Sequence, residues 1–97
     1  MAVQRVQELL VYLAQGLVDE PDEVSVEQFE EDDGTVVLEL AVARDDYGKV
    51  IGRGGRTAQA LRTVIRAAAA SDRSRETLAS GEHPRSGQRR VVIDIVD

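Results

Sequence analysis

The chain has 97 residues, a formal net charge of -6, no cysteine and only Tyr12, Phe29 and Tyr47 as aromatics. That length makes one domain able to bury roughly 60 to 70% of its unfolded surface, which is enough for a modest core. Without cysteine there is neither a disulfide framework nor a thiolate metal site, and the aromatics are too few for the stacking platform of an RRM or a single-strand-binding OB-fold. No apolar run approaches the roughly 20 residues that span a bilayer, and the charged-then-apolar order of a signal peptide is missing, so a cytoplasmic protein away from membranes is expected.

The first predicted element is a helix over about 2–18. Val3, Val6, Leu10, Leu13 and Leu17 follow 3, 4, 3, 4 spacing and form its core stripe, while Val11 and Tyr12 lie partly off it, as core edge or as a contact for a partner. Gly16 and Pro21 end it. Val24 and Val26 then alternate with Ser25 and Glu27, and Phe29 closes a first strand whose phase slips at the end. The polar stretch 30–34 finishes in Asp33-Gly34, a hairpin reversal signal. In the second strand Val36, Leu38, Leu40 and Val42 point one way and Val37, Glu39, Ala41 and Ala43 the other. A short helical turn over Lys49 to Ile51 leads to a glycine-rich loop and a longer helix. There Leu61, Val64, Ile65 and Ala68 form the inner side, and the Ala67 to Ala70 run carries the helix to Arg75 or beyond. Thr57 is a candidate cap. Gly81, Pro84 and Gly87 mark 76–90 as a loop. His83, without a second histidine or cysteine, reads as a loop residue rather than a metal ligand or base. The β-branched run from Val91 to Val96 makes the last strand.

A net negative charge argues against a nucleic-acid partner until its distribution is considered. From Asp19 to Asp46 the acids dominate against Arg44 alone, whereas from Tyr47 to Ser71 no acid occurs and Lys49, Arg53, Arg56, Arg62 and Arg66 do. An acidic hairpin region is thus joined to a basic glycine-loop region, and one face can bind phosphate while the rest repels it. Arg62 and Arg66 are equally explained as a solvated helix face.

The loop itself is Val50-Ile51-Gly52-Arg53-Gly54-Gly55-Arg56-Thr57. Its glycines admit unusual backbone angles and close approach of a ligand, and they fall at a helix start with its unpaired amides and positive dipole. Arg53 and Arg56 add cations, and Lys49 lies just upstream, so the stretch reads as an anion cradle. A Walker loop is excluded because no Gly-x-x-x-x-Gly-Lys string followed by Ser or Thr exists, and a dinucleotide fingerprint fails at Thr57. A tight turn between two helices remains the structural alternative.

Ile51-Gly52-Arg53-Gly54-Gly55-Arg56 resembles the Ile-Gly-x-x-Gly signature of KH domains, whose GXXG loop clamps single-stranded backbone. Chain length and element order bring the resemblance closest to the small bacterial single-KH RNA-binding proteins of the KhpA (YlqC-like) family. It covers roughly 1–70 and 90–97, with 71–89 as an insertion before the last strand. The resemblance implies an α+β, type II KH-like domain of order α-β-β-α-α-β, with a three-stranded sheet covered on one face by three helices. It also implies single-stranded RNA as ligand, in a groove between the loop and the second strand. Gly52, Arg53, Gly54 and Gly55 would contact the phosphates, Lys49 and Arg56 would support them, and Arg44 would reach a further phosphate. Ile51 is either a groove wall or core, and Val36 and Leu38 are either groove or core. The resemblance further implies an RNA chaperone or post-transcriptional regulator linked to cell-shape and cell-wall regulation, acting as a homodimer or with a larger KhpB (Jag/EloR)-type KH protein. The rival reading is a protein-interaction module with incidental RNA contact. No nucleophile-base pair, metal-ligand spacing or cofactor motif points to an enzyme or to a cofactor.

Overall fold

The computed structural model describes the backbone of residues 2–80 and 90–96, and side chains over 5–70 and 90–96. Six elements follow one another: α1 (Ala2–Gln15), β1 (Ser25–Glu30), β2 (Val36–Ala41), α2 (Tyr47–Ile51), α3 (Arg56–Ser80) and β3 (Val91–Val96). Single 3-10 turns at Pro21–Glu23, Arg44–Asp46 and Arg53–Gly55 join them. The α-β-β-α-α-β order is the one expected. β2 is the central strand, antiparallel to β1 and parallel to β3.

The alternation of β2 decides which side of the sheet the helices cover. Val36, Leu38 and Leu40 are each 0% exposed. Across the parallel seam they stand beside Val91, Ile93 and Ile95, which share their face. The helices bring matching stripes at one-turn spacing: Val6, Leu10 and Ala14 from α1, and Ala58, Leu61, Ile65 and Ala69 from α3. Val50 adds α2 to the same core. Gln7 donates from its Nε2 to the Val26 carbonyl at 2.8 Å and ties α1 to the edge strand. At the hairpin the Thr35 amide donates to Asp33 Oδ1 at 2.9 Å and Gly34 takes φ 89°, so the Asp33-Gly34 reversal is made as expected.

Several sequence expectations are corrected by where the helices turn. α1 stops at Gln15 and not near 18, because the chain tightens there: the Gly16 amide donates to Tyr12 O and the Leu17 amide to Ala14 O. Leu17 therefore leaves the stripe and is 40% exposed, and Ala14 takes its place. Tyr12, expected at the core edge, is 73% exposed, since it lies across the helix from the Val6-Leu10-Ala14 line. On α3 the buried line runs through Ala58 and Ala69, which leaves Val64 a quarter-turn off it and exposed. The helix also continues unbroken to Ser80, so 76–80 is helical backbone and not loop. The rest of the expected loop, 81–89 with His83, Arg85 and Arg89, lies outside the described residues.

The far side of the sheet carries three cross-strand rows. Phe29, Val37 and Val92 are in register, as are Glu27, Glu39 and Asp94, and then Ser25, Ala41 and Val96. The phase slip at Phe29 is thus a change of face: Val26 packs on the core and Phe29 stands on the open side, about half exposed.

Because Leu38 is enclosed by both neighbouring strands and the helix layer, Leu38→Ala should lower the unfolding free energy by about 2–5 kcal/mol. Val64→Ala, at an exposed position, should change it by about 0.5 kcal/mol or less. Urea denaturation followed by circular dichroism measures both.

Candidate nucleic-acid interface

The loop between α2 and α3 is shaped by glycines with different duties. Gly52 ends α2 by donating its amide to Gly48 O at 2.8 Å, and it adopts φ 77°, ψ 172°, a region essentially reserved for glycine. A Cβ there would collide with the Thr57 side chain and lie 2.8 Å from the Thr57 nitrogen. Gly54 is left-handed at φ 64°, ψ 18°, inside the 3-10 turn. A Cβ on Gly54 or Gly55 would meet nothing within 4 Å. Gly52 is therefore required by the chain's own geometry, whereas Gly54 and Gly55 leave the outer surface of the bend open.

The amides of this bend divide in the same way. Gly55 donates to Gly52 O at 3.1 Å and Arg56 to Arg53 O. Those of Arg53 and Gly54 find no acceptor among the described residues. Two adjacent donors thus remain at the exposed tip, just ahead of a long helix whose dipole is positive at this end. Thr57 sits second in α3 with its hydroxyl packed against Gly52, in contact with the loop rather than in the capping role expected of it.

The cations are not equivalent either. Arg44, Arg53 and Arg56 are exposed and have no ion-pair partner among the described residues. Lys49 is held: its Nζ lies 3.2 Å from Asp19 Oδ2 and 3.3 Å from Asp46 Oδ1. The hydrogen bond to Asp19 first, then that to Asp46, raises the ammonium above its ordinary pKa. Lys49 thus belongs to the frame of the site as much as to its charge.

That frame centres on a residue sequence reasoning missed. Asp46 is 2% exposed and stands at the start of α2, yet its carboxylate does not cap that helix. It accepts instead from the backbone amides of Asp19, at 3.2 Å on Oδ1, and Glu20, at 3.0 Å on Oδ2. Burial alone would push the carboxyl pKa up, but the two amides and Lys49 outweigh it and hold it below the usual carboxylate value. Nothing in the sequence distinguishes Asp46 from Asp45 beside it, because the partner amides lie on a distant linker.

Of the apolar candidates, Val36 and Leu38 are closed inside the core and do not line a groove. Ile51 is half-buried, packed on the core from the last turn of α2. Among the described residues no group of three or more His, Cys, Asp or Glu side chains could hold a metal ion, and no helix is long and apolar enough to cross a membrane.

A three-stranded mixed sheet backed by three helices, with a Gly-x-x-Gly bend between the second and third, defines a KH domain of the type II order. The KhpA/KhpB KH-domain family model matches residues 7–79, and the chain belongs to that family. Among curated proteins it is 49% identical over 69 residues to the RNA-binding protein KhpA of Clostridium acetobutylicum, covering 71% of this chain and 91% of the relative. It is 44% identical over 90 residues to that of Halalkalibacterium halodurans, covering 92% and 96%. For the KhpA of Bacillus subtilis the identity is 46% over 68 residues, covering 70% and 83%.

Two measurements test the frame. Gly54→Ala should cost about 1–2 kcal/mol for left-handed backbone alone, and Gly52→Ala more, because overlap with Thr57 adds to a strain of about 1–3 kcal/mol; denaturant titrations rank them. Since the Asp46 carboxyl is depressed, its contribution is full above the ordinary Asp value near about 4 and fades as pH falls through the lowered folded value. The stability gap between the native chain and Asp46→Asn should therefore narrow in that acid window, as read from urea midpoints against pH.

Proposed function

We propose that this chain binds single-stranded RNA by seating the sugar-phosphate backbone on the Gly52–Gly55 bend. The observation that carries this reading is the pair of adjacent, exposed amides at Arg53 and Gly54, which lack acceptors among the described residues and are flanked by the unpaired guanidiniums of Arg53 and Arg56. An anion with several oxygens meets both kinds of donor at once. Curated relatives named RNA-binding protein support the choice of RNA over other polyanions. Bases then lie along the exposed part of Ile51, Arg44 meets a neighbouring phosphate, and Lys49 supports the phosphate contacts from the last turn of α2. The Glu27-Glu39-Asp94 row repels a polyanion from the open sheet face, so the ribonucleotide strand is directed to the helical side.

One such module grips loosely. With two to four phosphates engaged, log affinity should fall with log salt at a slope of roughly -1.4 to -2.8. Joining two weak sites raises apparent affinity without new contacts, which favours a homodimer or a pairing with a larger KhpB-type protein, the two members named together in the matching family model. On this reading the protein serves in the cytoplasm as an RNA chaperone or post-transcriptional regulator, with the cell-shape role that its family resemblance implies.

The test is the double substitution Arg53→Asp with Gly54→Asp. Aspartate tolerates the left-handed angles of position 54 better than most side chains, so the circular dichroism spectrum should stay native while RNA affinity drops tenfold or more. RNA affinity that survives in a folded variant overturns the assignment.

A further inference from the structure

Lys49 sits in the last turn of α2, three positions ahead of Gly52, and among the described residues it is the cation near the loop that is already ion-paired. Its two partners differ. Asp46 is buried and has both carboxylate oxygens occupied by backbone amides, so it stays where it is whatever Lys49 does. The Asp19 side chain is 79% exposed, and its one described side-chain partner is Lys49. Asp19 therefore presents an exposed carboxylate to the ammonium at 3.2 Å, on a linker that is otherwise anchored through its amide.

We infer that Asp19 is an internal competitor for phosphate: its carboxylate withholds Lys49 from the RNA backbone and so sets the affinity and the salt sensitivity of the glycine-loop site. The inference rests on the RNA-binding reading above. Binding of a backbone phosphate exchanges one oxygen anion for another on Nζ while Asp46 keeps the lysine aimed. Asp19 is exposed and leaves to water at small cost, so the competitor lowers affinity without abolishing it.

The test uses the full chain, a single-stranded oligoribonucleotide of mixed sequence and fluorescence anisotropy at several salt concentrations. Asp19→Asn should tighten binding about two- to fivefold at low salt, the range expected for releasing an exposed ion pair, and steepen the log-log salt slope by up to about 0.7. Asp22→Asn controls for the general gain of one positive unit: it changes the same linker by the same charge, has no described ion pair to Lys49, and should tighten binding less. Lys49→Gln should cancel the Asp19→Asn gain when the two are combined. If Asp19→Asn behaves like Asp22→Asn, or its gain persists without Lys49, the competitor role is wrong while the loop assignment stands. Should the Arg53 and Gly54 double variant also bind RNA like the native chain, the loop reading falls first and this one with it. Circular dichroism of every variant separates these outcomes from unfolding.

Discussion

A single buried carboxylate holds the glycine bend in register with the rest of the molecule. α2 spans Tyr47–Ile51, far too short to persist as an isolated helix. It is kept by Val50 in the core and by Asp46, which reaches across to two consecutive amides on the linker between α1 and β1. Both oxygens are used, so the linker and α2 cannot slide past one another without leaving the buried Asp46 carboxylate short of its donors. The loop that follows inherits this fixed start. Its far end is equally constrained, because Gly52 and Thr57 are in contact and only the absence of a Cβ lets them be. Between those two fixed points lie the two open glycines and the two amides that have no acceptor among the described residues.

What could be read in advance follows a physical division. The β2 alternation, the one-turn stripes of α1 and α3 and the β-branched run of β3 are periodic, and periodicity survives folding because burial imposes it. The glycine bend was legible because few other stretches need three residues without side chains so close together. Leu17 and Val64 misled for a common reason: an apolar residue at the margin of a stripe is assigned correctly only if the helix end and its rotation are known. Asp46 was illegible in principle. Its importance comes from amides at Asp19 and Glu20, and contacts between remote backbone groups leave no mark on residue type. The same blindness covers Lys49, which counts as a loop cation in the sequence and is a paired one in space.

The arrangement of charge gives the negative total its meaning. Acids gather on the linker, the hairpin and the open sheet face, where Glu27, Glu39 and Asp94 stand side by side across the strands. Like charges in adjacent register repel one another, and no described ion pair relieves them. Their cost is consistent with a surface that keeps polyanions off one side and leaves the exposed arginines around the bend as the attractive region.

The parallel seam between β2 and β3 has one more effect. Val36 pairs with Val91 across the whole of α2 and α3, whereas β1 and β2 meet through a tight reversal. Closing the larger circuit carries the greater entropic cost and can be rewarded only after the intervening helices have condensed. Until then the middle strand offers one vacant row of amides and carbonyls to whatever passes, so during assembly the most buried strand of the finished domain is also its most adhesive.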